Sequence, residues 1–502
     1  MALVPIDIPP GAHHNGTDLG SAGRWHDVSL VRWRQGSIRP IGGWTNFLDD
    51  GGDPAQVDSG NSIARGAVAW FDNSGVPRVA FGSADGLFSL NGDGTLAEIT
   101  PAGLAAGNES SAERLGYGGK AYGEEAYGTQ RSSDGTLVGA DVWTLDTWGE
   151  YLVGCSTADG KLYEWQLDDT TPTVAAQISN APTLCRAVLV TGERIMMALG
   201  ASADPRLIKW SDKEDNTQWT AASTNEAGDI TLQTNGLIQT GVKVRGGNLI
   251  LTTTDAWLGA YLGPPLVYGF NKVGSGCGLV AVRAIAEAKG GAFWMGRNEF
   301  FVYDGNTVAP LPCEVADYVF TDINRSEIDK VYAVNNQRFS EVWWFYPCAG
   351  ATENDRYVFY DYQEGVWGFG HLERTCGVDA GVFNYPVWID PDGYVTYQEN
   401  GNYHGGVDPH AETGPLMMDN GNRVGAILRI FPDEEVKGEA TITLKTRFFP
   451  NGTQRSYGPY TAGEPTSVRV KGRYITMRLD GADGTNFRVG RYGMDVRGGS
   501  GR

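Results

Sequence analysis

The sequence predicts an all-β protein built around a β-propeller, and three observations support that fold class. A short phrase, in which an acidic residue stands just before an apolar or aromatic strand, recurs seven times. After one long first interval it repeats every roughly 40 to 55 residues, which is the period of propeller blades. The 70 Gly, 15 Trp and 22 Tyr among 502 residues are typical of strands joined by tight turns. The phrase begins at Ser83, Thr157, Ser202, Thr254, Asn298, Asn354 and Pro391.

The phrase also sets the size and limits of the propeller. Seven occurrences predict six to seven blades, because a blade buries its two faces only inside a closed ring. We expect the propeller to span residues 51–405. An aromatic- and arginine-rich β segment at 1–50 precedes it, and a separate antiparallel β domain at 413–502 follows it. A chain of this length exceeds one ordinary core and fits this division.

Alternation of apolar and basic residues predicts hairpins in both flanking regions. Near the N-terminus it places Val31 and Trp33 on one face of a strand and Arg32 and Arg34 on the other, before a Gln-Gly turn. In the C-terminal domain the same alternation occurs at 468–471. We expect its basic residues on the solvated face of an antiparallel sheet.

An insertion at about 101–142 explains the long first interval of the phrase. It contains a five-residue Tyr-Gly repeat that begins at Tyr117, Tyr122 and Tyr127. A period of five fits neither a helix nor a strand, and glycine after each tyrosine favours an exposed loop. Two interpretations remain open: the tyrosines contact a channel or a neighbouring subunit, or the insertion is a surface loop without such a role.

Charge is divided unevenly along the chain. Residues 421–502 contain 14 Lys and Arg against 8 Asp and Glu, a balance of +6. Since the whole chain carries −20, the remainder carries −26. The division indicates two surfaces with different partners, or it serves solubility alone. In either case the acidic part is unsuited to binding nucleic acid, because affinity for nucleic acid depends on Lys and Arg.

The cellular compartment is predicted from the absence of a membrane span and of a signal peptide in the sequence. No stretch approaches the ~20 apolar residues of a membrane-spanning helix. The first seven residues show neither a basic leader nor an apolar signal core, so we expect synthesis in a cytoplasm. The six cysteines are scattered without a CxxC pair, and we expect reduced thiols.

Motifs for catalysis are absent from the sequence, so we predict no enzyme, no metal and no cofactor. The six histidines form no HExxH pattern, and no nucleophile elbow, Walker loop or dinucleotide-binding fingerprint occurs in a suitable context. The alternative function is a carbohydrate-binding or sialidase-like propeller. Asp85 and Gly86 are adjacent, whereas a sialidase Asp-box separates them by one residue. Trp343 and Trp344 are candidates for stacking on sugars, although alternation favours a core position.

Several segments resemble one family of viral proteins. The chain is similar to the tail tubular, or nozzle, proteins of short-tailed bacteriophages, which are also called packaged-DNA stabilisation proteins. The resemblance covers about a fifth of the chain, at its two ends and in the Tyr-Gly insertion. Outside the insertion, the segments that carry it are 4–11, 15–17, 23–25, 30–33, 39–44 and 490–497.

The resemblance implies an assembly and a location. It implies a homo-hexameric ring of propeller-bearing subunits at the distal end of the virion tail, made in the host cytoplasm. Such a ring lies under an adaptor ring, encloses the DNA exit channel, retains packaged DNA and helps to dock tail fibres. Contact with passing double-stranded DNA is then transient, and an acidic lumen keeps phosphates from sticking.

Within that hypothesis two groups of residues are candidate contacts. The loop with Tyr117, Tyr122 and Tyr127 is the candidate for a channel constriction or an inter-subunit contact. Basic residues near both chain ends are candidates for docking onto acidic faces of a neighbouring subunit, the adaptor or a fibre. These docking candidates are Arg24, Arg32, Arg34, Arg469, Lys471, Arg473 and Arg478.

Overall fold

Strands make up nearly all of the regular secondary structure in the described part of the computed structural model. Its N-terminal part contains a 3₁₀ turn at Asp18–Ser21. Five short strands come before the first blade: β1 (Ala2–Ile6), β2 (Trp25–Ser29), β3 (Val31–Arg34), β4 (Ser37–Pro40) and β5 (Trp44–Asn46). The structure describes residues 2–57, 62–113, 137–167, 174–417, 421–461 and 463–498.

The first three blades are four-stranded antiparallel sheets. Blade 1 contains β6 (Ala67–Phe71), β7 (Pro77–Gly82), β8 (Leu87–Asn91) and β9 (Leu96–Glu98). A small hairpin in the insertion pairs β10 (Ala112–Glu113) with β11 (Leu137–Val138). Blade 2 contains β12 (Trp143–Trp148), β13 (Tyr151–Ser156), β14 (Leu162–Trp165) and β15 (Ala176–Gln177). Blade 3 contains β16 (Ala187–Val190), β17 (Met196–Leu199), β18 (Leu207–Trp210) and β19 (Gly228–Thr231).

Four further sheets complete the ring. Blade 4 contains β20 (Ile238–Val244), β21 (Gly247–Thr252), β22 (Asp255–Gly263) and β23 (Val267–Ser275). Blade 5 contains β24 (Ile285–Ala288), β25 (Gly291–Met295), β26 (Phe300–Tyr303) and β27 (Val308–Leu311). Helix α1 (Ala316–Asp322) and a 3₁₀ helix (Arg325–Lys330) lead to blade 6, which contains β28 (Tyr332–Asn336), β29 (Glu341–Tyr346), β30 (Arg356–Asp361) and β31 (Val366–His371). Blade 7 contains β32 (Cys376–Val378), β33 (Val387–Ile389), β34 (Val395–Gln398) and β5.

The innermost strands confirm that the sheets form a closed seven-bladed propeller. Each innermost strand contacts the innermost strand of the next blade, and β32 of blade 7 contacts β6 of blade 1. The blade count falls within the six to seven predicted. The N-terminal strand β5 closes the ring, because it pairs with β34 as the outermost strand of blade 7. The last blade therefore combines the start of the chain with a segment some 350 residues later.

The recurring phrase occupies the same place in every blade. All seven occurrences lie at the turn between the second and third strands. Acidic side chains close several of these turns: Asp159 Oδ1 accepts the backbone N–H of Lys161 at 3.1 Å, and Asp204 Oδ1 accepts that of Arg206 at 3.0 Å. Because a turn stands at this place in each blade, the period is visible in the sequence.

The C-terminal strands form two antiparallel sheets together with β1 and β2 of the N-terminal segment. The C-terminal strands are β35 (His410–Thr413), β36 (Leu416–Met417), β37 (Gly425–Phe431), β38 (Ala440–Arg447), β39 (Arg455–Thr461), β40 (Thr466–Gly472), β41 (Tyr474–Gly481) and β42 (Tyr492–Gly498). One sheet, which we call the terminal sheet, has the order β1-β42-β37-β40. The second has the order β2-β35-β41-β38-β39, with β36 beside β41.

Strands of the first 50 residues are thus shared among several sheets. Strand β1 joins the terminal sheet, β2 joins the second sheet, and β3 pairs with β4 in a hairpin. The hairpin turns at Gln35 and Gly36, whose φ angles are 51° and 73°, as a two-residue turn with a right-handed strand twist requires. One apolar core runs from the terminal sheet and the second sheet, which we together call the sandwich, into blades 5 and 6 and includes Trp33, Trp343 and Leu444.

Candidate functional site

The outer face of the terminal sheet carries a cluster of basic side chains. Strand β40 alternates buried valines with the exposed Arg469 and Lys471. Its neighbour β37 places Ala426 opposite Lys471 on one side and opposite Arg497 on the other. Arg429 of β37 is exposed as well and pairs with Asp495 at 2.6 Å. Because Asp495 shares the charge of Arg429, we call only Arg469, Lys471 and Arg497 the basic patch.

One member of the basic patch, Arg497, was not among the docking residues predicted from the sequence. Arg497 lies in strand β42, where Tyr492, Met494 and Val496 are buried and Arg497 is exposed. Alternation alone indicates that face. Strand β42 pairs with β37, and this pairing brings Arg497 into line with Lys471. The two strands are more than 60 residues apart in the chain, so the pairing leaves no local signal in the sequence.

Three of the predicted docking residues are neutralised within the chain. Arg24 pairs with Glu314 of the propeller, and Arg34 lies 3.4 Å from Asp361. Arg478 lies 2.7 Å from Asp480 and also contacts Glu412. Because their charge is shared with carboxylates, these arginines are weaker docking candidates than Arg469 and Lys471.

Arg473 occupies an intermediate position. It lies in the turn between β40 and β41, and its side chain is half-buried. Its backbone N–H donates to the carbonyl of Arg447 at 3.1 Å. Its buried Nε has no acceptor in the ranges that the structure describes.

The prediction that Arg32 docks onto a partner is wrong, because this side chain is only 1% exposed. Its Nε lies 3.0 Å from Glu341 of blade 6, and its Nη2 contacts Glu399, which follows blade 7. Phe339 covers the guanidinium at 3.7 Å. Burial raises the pKa of Glu341 to about 7, against the pull of Arg32 in the opposite direction. The side chain therefore locks the β3–β4 hairpin onto the propeller and is unavailable to a partner.

The innermost strands surround a narrow central channel. They line a cavity of about 340 Å³. Near the C-terminal ends of these strands Lys243 lies 3.0 Å from Asp146, and Glu287 accepts the backbone N–H of Lys243 at 3.2 Å. A cavity of this volume suits a small molecule. It cannot admit a duplex whose major groove alone is about 12 Å wide.

The base of the insertion contacts residues that precede the innermost strands of blades 1 and 6. Arg65 Nη2 donates to the carbonyl of Glu109 at 3.2 Å, and Lys330 Nζ donates to Ser110 Oγ at 2.8 Å. Ser111 Oγ donates to Glu327 at 2.7 Å. The loop predicted around Tyr117, Tyr122 and Tyr127 lies outside the described residues.

Features expected of an enzyme or a sugar-binding propeller are sparse. In the part of the chain that the structure describes, no group of three or more His, Cys, Asp or Glu side chains is arranged to hold a metal ion. Trp343 and Trp344 are 0% exposed, so neither ring is open for stacking on a sugar. Among the described residues no helix is both long and apolar enough to cross a membrane.

Comparisons with known proteins leave the function open. No protein-family model and no curated protein match the chain. Virginiamycin B lyase from Staphylococcus aureus is 8% identical with a TM-score of 0.41, and the match covers 68% of this chain and 97% of that one. The β-propeller domain of Cps50 (Swd1) from Myceliophteria thermophila is 11% identical with a TM-score of 0.37, over 72% and 99% of the two chains. At these scores the similarities carry no argument about activity.

Proposed function

We propose that this chain is a structural protein of a short-tailed bacteriophage virion, in which it forms the distal nozzle ring of the tail. One observation carries the proposal: two of the segments that resemble nozzle proteins, 4–11 and 490–497, pair with each other in the fold. Val4 pairs with Met494, and Ile6 pairs with Tyr492, in adjacent strands of the terminal sheet. Ile38 bridges to Val489 beside them. Segments at opposite ends of the sequence thus belong to one unit, as a shared assembly module requires.

The basic patch supplies the docking chemistry of that module. Its exposed Arg469 and Lys471 face solvent beside Arg497, whereas the rest of the chain carries the large negative charge. Opposite charge of this kind favours association of the patch with an acidic face of a second copy, of the adaptor ring or of a fibre. We propose a homo-hexamer, since that is the ring which the resemblance implies.

DNA would then pass between subunits rather than through any one of them. The central channel of the propeller is too small for a duplex. A ring that encloses the exit path with acidic surfaces would repel phosphates and leave few places where DNA stalls. The function proposed is passive: retention and guidance of DNA, without catalysis and without a cofactor.

Co-sedimentation with virion tails tests the proposal. Purified chain is mixed with an extract of tails from a short-tailed phage, and the tails are pelleted. We expect the chain in the pellet, together with adaptor and fibre proteins. A chain that stays in the supernatant as a monomer and binds a glycan array would contradict the proposal and favour the carbohydrate-binding alternative.

A further inference from the structure

Five of the six histidines of the chain lie on strand β2 or beside it. The backbone N–H of His371 donates to Ser29 Oγ of β2 at 3.3 Å, and His410 is the partner of Ser29 in the neighbouring strand β35. The backbone N–H of His13 donates to the carbonyl of Trp25 at 2.7 Å. The five residues are His13, His14, His26, His371 and His410. The histidine charge gained on acidification is therefore concentrated along this strand.

Two of these histidines are stacked on each other. The ring centroids of His14 and His26 lie 4.1 Å apart, and the ring planes differ by 13°. His14 Nδ1 donates to the carbonyl of His26 at 2.8 Å, and His26 Nδ1 lies 3.3 Å from the carbonyl of His13. Because a carbonyl only accepts, each neutral ring carries its proton on Nδ1, and acid adds a second proton at Nε2.

A β-bulge brings His26 to this position. The register of β2 with β35 shifts between Trp25 and Asp27, so that His26 is the extra residue. Bulges of this kind turn a side chain away from the regular pleat. Ala12 forms a parallel bridge with Trp25, and the chain that leads to His14 therefore runs alongside the bulge.

Residues 12–16, which we call the N-terminal loop, join the sandwich to the propeller. The backbone N–H of His14 donates to the carbonyl of Glu314 at 2.8 Å. The side-chain amide of Asn15 donates to the carbonyl of Cys313 at 2.8 Å. Both acceptors belong to the connection between blades 5 and 6, just before helix α1. The loop is thus held between β2 of the sandwich and this connection.

The ring of His14 continues the stack onto the propeller. It lies 5.0 Å from the ring of Tyr318 in α1 and 5.7 Å from the ring of Phe369 in β31. Burial raises the pKa of Tyr318 to about 12, so this neighbour is neutral in the range where histidine titrates. The propeller thus offers aromatic surface, and no negative charge, to this side of the ring.

Acidic side chains on the sandwich side of the stacked pair are already engaged. Asp18 forms an ion pair with Arg447 of β38. Asp27 lies 3.6 Å from His410 Nε2 and 3.8 Å from Arg478. Because these carboxylates are shared with other cations, they compensate a charge on the pair only in part.

Acidic side chains on the propeller side are engaged in the same way. Glu314 forms an ion pair with Arg24. Asp317 Oδ2 accepts the backbone N–H of Gly16 at 2.8 Å. Both contacts fasten the N-terminal loop and its flank to the connection between blades 5 and 6, so they depend on the loop staying in place.

The packed arrangement disfavours protonation of the pair. Burial, and after it the charge of His14, lower the pKa of His26 from the usual 6.5, and the attraction of Asp18 and Asp27 does not reverse the shift. A histidine whose pKa is lowered by folding contributes stability that is present above the unfolded pKa and is lost as the pH falls. Acid therefore favours separation of the two rings.

We propose that the stacked His14 and His26 form a pH-sensitive latch. At neutral pH the uncharged rings stack and hold the N-terminal loop between the sandwich and the propeller. In acid, two imidazolium rings only 4.1 Å apart repel each other, and the loop separates from the connection between blades 5 and 6. This inference does not depend on the proposed function in the virion.

Hydrogen–deuterium exchange of the full chain at pH 7.5 and pH 5.5 tests the latch, with labelling times scaled to the intrinsic exchange rates. We expect the peptide that covers residues 11–18 to lose protection several-fold at pH 5.5. One proton accounts for up to about tenfold, because pH 5.5 lies one unit below the usual histidine pKa of 6.5. Strand β17 of blade 3 contains no histidine and should keep its protection.

Three variants assign the response to the stacked pair. His26→Gln keeps a donor for the carbonyl of His13 but cannot become charged, so the pH response of residues 11–18 should disappear. His26→Lys places a permanent charge there and should give fast exchange at both pH values. His371→Gln, at an exposed histidine at the end of β31, is the matched control and should respond as the wild type does.

Three results would overturn the inference. The first is unchanged protection of residues 11–18 between the two pH values in the wild type. The second is an equal loss of protection in β17, and the third is a pH response that survives in folded His26→Gln. Because the first comparison needs only the wild type, the test remains decisive even if a variant fails to fold.

Discussion

At the scale of single residues, the most consequential feature is the buried group of Arg32, Glu341 and Glu399. One guanidinium lies between two carboxylates, and all three side chains are at most 1% exposed. Asn336 and Trp343 donate to the same carboxylates at 3.1 and 3.0 Å. Charges buried in this way are tolerated only when every partner is present, so the group behaves as a lock between the N-terminal hairpin and blades 6 and 7.

Removal of the central cation should therefore destabilise the fold strongly. We expect Arg32→Met to lower the free energy of unfolding by about 3 to 5 kcal/mol, because two carboxylates are left buried without their counter-charge. Arg34→Gln, two residues along the same strand, removes a 3.4 Å pair with Asp361, whose carboxylate keeps its hydrogen bonds from the backbone N–H groups of Gln363 and Glu364, and should cost less than Arg32→Met does. Urea unfolding of both variants measures the difference. Equal losses would refute the role given to Arg32.

The same group predicts a dependence of stability on pH. Folding raises the pKa of Glu341 from 4.5 to about 7, so its proton stabilises the folded state. That contribution is complete below the unfolded pKa and is lost as the pH rises through about 7. The unfolding free energy of the wild type minus that of Glu341→Gln should fall between about pH 5 and pH 8, by up to about 3 kcal/mol. A difference that stays constant with pH in urea titrations would contradict the shift.

Sequence analysis placed Arg32 correctly on the strand face opposite Val31 and Trp33, yet it interpreted that face wrongly. Alternation identifies two faces but not what covers each one. The cover here comes from Glu341 and Glu399, more than 300 residues further along the chain. A basic residue in a strand is therefore ambiguous until its distant neighbours are known.

At the scale of elements, the alternation of apolar and polar residues predicts the faces of strands in the terminal sheet but not which strands pair. Strand β40 follows its predicted alternation, with Val468 and Val470 buried and Arg469 and Lys471 exposed. The place of β1 beside β42 was beyond prediction, because pairing between the two chain ends leaves no local period. The repeated turns in the sequence indicate the blades. They do not indicate that strand β5 closes the ring, because β5 pairs with the distant strand β34.

The pairing of β1 is tested by two substitutions on its opposite faces. Ile6 packs on the main core, whereas Leu3 is 62% exposed. We expect Ile6→Asp to lower the free energy of unfolding by about 2 kcal/mol, because it moves a charge against apolar surface. Leu3→Asp should change it by less than about 0.5 kcal/mol. Thermal or urea unfolding that ranks the two variants in the reverse order would exclude this register of β1.

The basic patch makes a separate prediction about assembly. Arg469→Glu combined with Lys471→Glu should prevent association with tails while leaving stability unchanged, because both side chains are exposed and the reversed charges repel an acidic partner. The matched control reverses two exposed arginines of the propeller, Arg245 and Arg297. Co-sedimentation with tail extract compares the two. Loss of binding in the control alone would place the docking surface on the propeller instead.

At the scale of the whole molecule, a closed ring of blades supports a sandwich made from both ends of the chain. One continuous core joins the two parts, so the sandwich is held firmly against blades 5 and 6. The central channel is narrow, and its volume of about 340 Å³ confines it to small ligands. A conduit for DNA would therefore have to arise between copies of the chain. The proposed nozzle function therefore depends on assembly into a ring, which is the central claim.

Electron microscopy of negatively stained samples tests that claim most directly. The purified chain is imaged alone and after mixing with tail extract. The account predicts rings of fixed stoichiometry, six copies as the resemblance to nozzle proteins implies, in at least one of the two samples. Isolated monomers in both samples would contradict it.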